Sequence, residues 1–467
     1  LRRVEGKKAY GIDYISQFIG SERLFDEKYK KEISSDYKLV LEAYCQGINR
    51  YAFTHANEVL NKKLFPLTPK KMFLYAQLQL FVSSKGDYWV KKILRNKINY
   101  NPEKDQVKGS NTFAFNSAKT KDGSTYLAIN THQPLDGPTS WYEVHLCSAE
   151  GTDIIGALFA GSPNVLIGAN RNLAWAHTVN IPDKTDVFKL EMHPNKKKYY
   201  KVDGEYLKLK THWANIIVKI LGIHVKISKK YFESIYGPTL KNDSGYYAVR
   251  TPSLFEIRAL EQWWRMNKAK NFTEFYNAIK MKALPGYNIG YADKNDTIFF
   301  ISNGLIPRRS AGYDWANVVP GNTMKTLWTS TYDIEELPQV IQPHSGYIYN
   351  ANHTHFKSSD SLDNPNESDF SKVAETYFGK SLFIPTGSST APEIICDPTS
   401  EPFSKTTTCK LGSSCFNLIA ADKPAGPAPT ITTSYSIDSL FISDIKSPKI
   451  AFLDTNNVLD LLLIIII

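Results

Sequence analysis

Apolar positions return with helical spacing along the first hundred residues. Tyr37, Leu39, Leu41, Tyr44, Ile48 and Tyr51 recur near the 3.6-residue period, and Met72 to Val82 is a second apolar-rich stretch of helical length. Strand signals are scarce there, so residues 1–109 read as a mostly helical segment. The pattern changes after residue 110. Runs such as Tyr126-Leu127-Ala128-Ile129 and Tyr142-Glu143-Val144-His145-Leu146 are bounded by the turn signals Asp122-Gly123 and Asp136-Gly137-Pro138. Further strands are expected at Val165 to Ile167, Ala174 to Val179, Val187 to Leu190, Ile216 to Leu221 and Ile289 to Ala292. A helical block returns from Leu254 to about Met281. There Ile257, Leu260, Trp263 and Trp264, then Phe272, Phe275, Tyr276 and Ile279, give each of two helices one apolar face. Strands, helices and strands in that order predict an α+β layered domain over residues 110–379. Residues 380–467 shift to Ser, Thr and Pro, with loop-like stretches at Pro385 to Pro392 and Pro424 to Pro429, and read as a divergent, weakly ordered tail.

The composition is that of a globular protein: 467 residues, 42% apolar and 22% charged. Its 27 Tyr, 24 Phe and 8 Trp suit extended sheets and equally a cleft lined by flat side chains. The net charge of +10 comes partly from Lys196-Lys197-Lys198 and Lys229-Lys230, interleaved with tyrosines in strand-like runs. These match no nucleic-acid module, and a solvated hairpin face explains them better. The five cysteines lack metal-ligand spacing and indicate neither a disulfide scaffold nor a zinc site, with a Cys409–Cys415 bridge left open. The run Leu461 to Ile467 is seven apolar residues, short of the roughly twenty that cross a bilayer. The chain opens on Leu1-Arg2-Arg3, as though inside a helical segment, and is expected to lack its natural start.

Gly109-Ser110-Asn111 is the point where chemistry is expected, because it opens the strand-like run Thr112-Phe113-Ala114-Phe115. Cleavage before Ser110 would give one residue a hydroxyl nucleophile and a free amine to serve as its base. Ser110 could cut the chain itself by attacking the Gly109 carbonyl, and a glycine there leaves that carbonyl open.

Other motifs follow in order. They are Ala43-Tyr44-Cys45-Gln46-Gly47-Ile48-Asn49, His132-Gln133-Pro134, Trp141-Tyr142-Glu143, Leu166-Ile167-Gly168-Ala169-Asn170 and Trp175-Ala176-His177-Thr178. Downstream lie Asn288-Ile289-Gly290-Tyr291-Ala292-Asp293, Ile306-Pro307-Arg308-Arg309, Pro320-Gly321 and Gly346-Tyr347-Ile348-Tyr349-Asn350-Ala351-Asn352. With Gly109-Ser110-Asn111 they make residues 28 to 356 resemble the penicillin acylase family of N-terminal nucleophile hydrolases, closest to its Bacteroidetes type in truncated form. The resemblance implies a four-layer α-β-β-α fold with a helical N-terminal segment. Residues 1–109 would correspond to the end of a first subunit with its spacer, and residues 110–379 to the core of a second. The two self-derived chains would stay together as a heterodimer in the periplasm or outside the cell. It also implies hydrolysis of a small N-acyl amide, of the β-lactam side-chain or acyl-homoserine lactone type, with no cofactor for the chemistry.

Roles carry over residue by residue. Ser110 would be the nucleophile, and His132, 22 residues later, would position it through its backbone or ring. The backbone N–H of Val179 and the amide of Asn288 would stabilise the oxyanion. Arg309, with Arg308 as its neighbouring alternative, would bear on the Ser110 amine or the substrate. Asp183, Thr185 and Asp186 fall where relatives bind a structural Ca²⁺, which wants six or more oxygen ligands, so further ligands would come from elsewhere. Two competing readings remain. One is an inactive fragment of an acylase. The other is a non-catalytic binding protein in which Trp141, Trp175, Trp263 and Tyr287 line a groove.

Overall fold

The computed structural model describes residues 10–98, 109–133, 139–180, 182–220, 223–365 and 461–466. The chain divides into two units, Leu1–Ser381 with Pro448–Ile467, and Leu382–Ser447, and every described residue belongs to the first. The Asp136-Gly137-Pro138 turn, the proline-rich stretches after residue 380 and Cys409–Cys415 lie outside the described residues.

The N-terminal segment is helical: α1 (Tyr10–Phe18), α2 (Ser21–Glu32), α3 (Ser35–Thr54), α4 (Pro69–Ser83) and α5 (Gly86–Leu94). Local chemistry starts two of them. The Ser34 hydroxyl accepts from the Tyr37 N–H at the head of α3, and the Thr68 hydroxyl accepts from Lys71 N–H ahead of Pro69 in α4. Of the stripe expected on α3, Tyr37 and Leu41 are buried with Cys45, but Leu39 is 67% exposed and Tyr51 55%. Position 39 sits about 200° round the helix from 37, so it cannot share a face with it.

Two sheets stack face to face. The first contains β1 (Ser110–Phe115) and β2 (Tyr126–Thr131). The second contains β3 (Trp141–Cys147), β4 (Asp153–Phe159), β5 (Ile167–Asn170) and β6 (Leu173–Thr178). Strand β7 (Asp186–Leu190) belongs to a third, six-stranded sheet that carries the long hairpin Lys210–Ile220 and Ile223–Ser234. Later come β8 (Gly286–Asp293), β9 (Ile298–Gly304), β10 (Gln339–Ile341), β11 (Tyr347–Asn350) and β12 (Leu461–Ile466). The first sheet runs β11-β1-β2-β12 and the second β10-β9-β8-β6-β5-β4-β3. All pairs in these two sheets are antiparallel. The terminal apolar run, inside the segment read as a tail, is thus an outer strand paired with β2.

Side chains of the second sheet alternate between two cores, as the two-residue strand period requires. On β6, Ala174 and Ala176 face the first sheet, where they meet Ala114, Leu127, Ile129 and Ile348; Leu173 and Trp175 face the other way. That far side is covered by α6 (Ala259–Lys268) and α7 (Phe272–Ile279), whose Trp263, Met266, Phe275 and Ile279 are buried against Trp175, Ile289, Tyr291 and Phe299. A helical layer, a sheet and a second sheet therefore occur in the expected order within an α+β fold.

The two sheets meet through small residues. A Cβ on Gly290 of β8 would lie 3.0 Å from both the Cγ2 and the Oγ1 of Thr112 on β1. Gly290→Val is expected to push the sheets apart and destabilise the protein by about 1–3 kcal/mol, read as a lower midpoint in urea unfolding. An unchanged midpoint would show that the sheets are not in contact there.

Candidate active site

Ser110 is the first residue of β1, a strand paired on both sides, with Ser110 opposite Thr131 of β2 and Thr112 opposite Asn350 of β11. It faces the sandwich interior and is 3% exposed. Its hydroxyl donates to the Gly109 carbonyl at 2.6 Å, and the same oxygen accepts the backbone N–H of His132 at 3.1 Å. The carbonyl expected to be cut therefore has the attacking hydroxyl beside it and a backbone donor polarising it. The Ser110 N–H donates to Oδ1 of Asn352. Gly109 is required here for space: an added Cβ would lie 2.7 Å from His132 Nδ1 and 3.0 Å from Asn352 Oδ1.

The His132 ring is fixed by contact of Nε2 with Asn130 Oδ1 at 2.7 Å, an oxygen that Asn111 Nδ2 also approaches at 3.4 Å. Asn288 on β8 lies opposite Thr178, the last residue of β6, which brings it beside Val179, the next residue and the other expected oxyanion donor. The Asn288 amide donates to Thr178 Oγ1 at 3.1 Å, Asn350 Oδ1 at 3.2 Å and the Val179 carbonyl at 3.3 Å. That carbonyl also accepts from Asn352 Nδ2 at 2.9 Å. In the unbroken chain, then, the Asn288 amide is engaged by internal acceptors, and Val179 meets the cluster through its carbonyl.

Arg309 is 5% exposed and held by acids. It donates through Nε to Asp186 Oδ2 at 3.0 Å and through Nη2 to the Asp183 carbonyl at 3.0 Å, with Asp183 Oδ2 at 3.3 Å. Arg308 instead pairs with Glu336 at the surface. Burial pushes the Asp186 carboxyl up to about 6, against the pull of Arg309. Trp328 Nε1 donates to Asp186 Oδ2 at 2.7 Å, and the guanidinium of Arg250 stacks 4.4 Å from the Trp328 ring. Asp186 Oδ1 lies 3.0 Å from Arg309 Nη2 yet has no aligned hydrogen bond, so charge rather than direction holds it. The Thr185 hydroxyl donates to the Ser84 carbonyl at 2.6 Å. Arg309 sits between the Asp183 and Asp186 carboxylates, so a Ca²⁺ held there with the Thr185 carbonyl would have to share both carboxylates with its guanidinium.

Among the aromatics proposed for a groove, Trp175 is 0% exposed and donates to the Leu166 carbonyl, while Trp263 is 4% exposed and donates to His177 Nε2 at 3.0 Å. Both are core residues, which leaves only the half-buried Trp141 and Tyr287 of the four aromatics in the binding-protein reading. Burial takes His177, behind the site, down to about 4, so it is the neutral acceptor of that bond. A cavity of about 640 Å³ on the helical side, lined by Ser34, Glu261 and Arg265, includes none of the expected site residues.

Residues 1–380 match the family model for penicillin amidase. The chain belongs to the penicillin amidase family. Among curated relatives, the acyl-homoserine lactone acylase PvdQ of Pseudomonas fluorescens (strain Pf0-1) is 28% identical over 212 residues, which is 44% of this chain and 27% of that protein. Penicillin G acylase of Escherichia coli is 28% identical over 249 residues, 52% of this chain and 29% of that protein. The chain thus spans less than a third of the length of these relatives. A solved structure of the thermostable penicillin G acylase from Alcaligenes faecalis overlays with a TM-score of 0.47 at 21% identity, covering 58% of this chain and 50% of that one.

Two members of the cluster round Ser110, and one buried lysine outside it, escaped the sequence reading of individual roles. Asn350 Oδ1 accepts from Thr178 Oγ1 at 2.7 Å and from the Asn352 N–H at 3.1 Å, joining β6, β8 and β11 in one buried cluster. Asn350 and Asn352 stood in a quoted motif; the pairing of β11 with β1 is what gives them a role. Lys184 carried no signal. It is 7% exposed, its ammonium reaches Asn180 Oδ1 at 2.7 Å, and it lies against Gly286 at the start of β8. Burial takes its pKa down to about 7, with the charge of Lys85 adding to the effect.

Removing the Asn352 side chain strips an acceptor from the Ser110 N–H and a donor from the Val179 carbonyl. Asn352→Ala is expected to slow chain cleavage about tenfold or more, timed by gel electrophoresis; wild-type timing would show that Asn352 does not hold the nucleophile. Lys184 gives a pH signature. Its folded pKa lies below that of the unfolded chain, so between about pH 7 and 10 the unfolded state binds the extra proton and stability rises with pH. The slope is at most about 1.4 kcal/mol per pH unit. In a Ser110→Ala background, Lys184→Met should flatten the rise in unfolding free energy between pH 7 and 9; an unaltered slope would contradict a neutral buried lysine.

Proposed function

We propose that the chain is the self-processing part of an acylase that hydrolyses N-acyl amides through Ser110. The observation that supports this best is the Ser110 hydroxyl lying 2.6 Å from the oxygen of its own preceding carbonyl, with the His132 N–H on that same oxygen. In maturation Ser110 Oγ attacks the Gly109 carbonyl carbon, the C–N bond breaks as the nitrogen takes up the proton, and water then hydrolyses the ester. The products are a Gly109 carboxylate and a Ser110 with both hydroxyl and free α-amine.

The same hydroxyl then attacks the substrate amide while the amine, whose ordinary pKa is near 8, takes its proton and returns it to the leaving amine. Water releases the acyl group from the resulting ester. Asn352 Oδ1, which accepts from the backbone nitrogen of Ser110, is placed to hold the amine after cleavage. We assign the oxyanion to the Asn288 amide and the Val179 N–H, with the Asn288 amide exchanging an internal acceptor for the substrate oxygen. Arg309 is engaged by Asp183 and Asp186, so we give its charge no part in tuning the amine. The two chains made by the cut remain one heterodimer, because the helices before it share buried cores with residues after it: Tyr37, Leu41 and Phe73 pack with Trp263 and Met266, and Phe18, Phe81 and Val90 with Ala214 and Val249. The acyl-homoserine lactone and penicillin G acylases among the relatives point to a small N-acyl amide as substrate. Among the described residues no helix is long and apolar enough to cross a membrane.

The test is a kinetic panel of phenylacetyl, glutaryl and straight-chain acyl amides. Ser110→Ala should abolish both chain cleavage and turnover, while Asn288→Ala should mature yet lose roughly 10²–10³-fold in kcat. Turnover at the wild-type rate by Ser110→Ala would refute the reading.

A further inference from the structure

At the outer edge of the second sheet, three chemically distinct donors converge. His145 and Cys147 are two residues apart on β3 and so share a face, and Cys147 is the direct antiparallel partner of Asp153, the first residue of β4. His145 Nε2 is 2.9 Å from Asp153 Oδ1 and 3.2 Å from Cys147 Sγ, and Sγ is 3.6 Å from Oδ1. These separations lie within a few tenths of an ångström of the roughly 3.3–3.6 Å edges of a tetrahedron with metal–ligand bonds of about 2.0–2.3 Å.

The pattern of contacts argues against a proton relay. A thiol–imidazole–carboxylate relay needs the two ring nitrogens to serve different partners, whereas here the thiol and the carboxylate both approach Nε2. One imidazole nitrogen offers either one hydrogen or one lone pair, so it serves only one of them and leaves the thiol a 3.6 Å contact with Asp153 Oδ1, whereas a cation at the centre engages all three donors at once. Asp153 is also held in place, since Arg171 Nε donates to its Oδ2 and leaves Oδ1 turned towards the other two donors. Such an outer hydrogen bond orients a metal-ligating carboxylate. The His145 side chain is 54% exposed, which provides an entry path and room for water as a fourth ligand.

We propose that His145, Cys147 and Asp153 form a binding site for a borderline-soft divalent cation of the Zn²⁺ class. The mixed nitrogen, sulfur and oxygen donors select such an ion over Ca²⁺ or Mg²⁺. The Cys147 proton is released on binding, and the bound ion ties β3 to β4. The site lies on β4 and β3, two and three strands away from β6, and shares no residue with the cluster round Ser110.

The test is a Co²⁺ titration, under a phosphine reductant, of full-length protein carrying Cys396→Ser, Cys409→Ser and Cys415→Ser. One equivalent should produce visible d–d bands with a thiolate-to-cobalt charge-transfer band in the near ultraviolet, both removed by Zn²⁺. Cys147→Ser should abolish the charge-transfer band. His145→Ala should weaken binding beyond the roughly 10–100-fold expected for Arg171→Ala, an outer-shell change. These side chains are outside the cores, so matching far-ultraviolet circular dichroism certifies each variant as folded. Absence of the charge-transfer band, or its persistence in Cys147→Ser, would overturn the proposal.

Discussion

Strand β1 is held by its neighbours on three sides, and the site depends on that restraint. Pairing with β2 and β11 fixes its register, and the second sheet closes over Thr112 and Ala114. Its first residue then has little freedom. The Ser110 nitrogen meets Asn352, its hydroxyl meets the Gly109 carbonyl, and the carbonyl meets His132. A serine in a loose loop would meet its preceding carbonyl only by chance; at the end of a doubly paired strand the encounter is built into the ground state, which is how positioning lowers a barrier.

Small residues let the two sheets come close enough for this. Ala114, Ala174, Ala176, Gly290 and Ala292 fill the interface near the site, while the bulky Trp175, Tyr291 and Phe299 are turned towards the helices. The polar end of the same interface is where Thr178, Asn288, Asn350 and Asn352 gather. Buried amides need partners, and these four residues satisfy one another across three strands, which makes the cluster stiff before any substrate arrives.

Much of the architecture was legible because it rests on local period. The helical N-terminal segment, the change to strands after residue 110 and the two helices between residues 254 and 281 all follow from spacing. Faces were read less well: Leu39 and Tyr51 looked like part of a stripe that only Tyr37, Leu41 and Cys45 complete on the buried side. Trp175 and Trp263 looked like a groove because composition cannot tell a lined cleft from a packed core. Long-range pairing was invisible. Arg309 meets Asp186 from 123 positions away, so nothing local could show that the acidic pair at residues 183 and 186 is neutralised by a guanidinium. Lys184 was passed over for the same reason, since burial of an ammonium depends on strands that arrive a hundred residues later.

The central claim is that Ser110 becomes a chain terminus, and mass spectrometry of the purified wild-type protein during incubation tests it most directly. The account predicts two polypeptides that co-purify, the second beginning Ser110-Asn111-Thr112, appearing at a rate independent of protein concentration as an intramolecular cut requires. A single intact chain that hydrolyses acyl amides would contradict it.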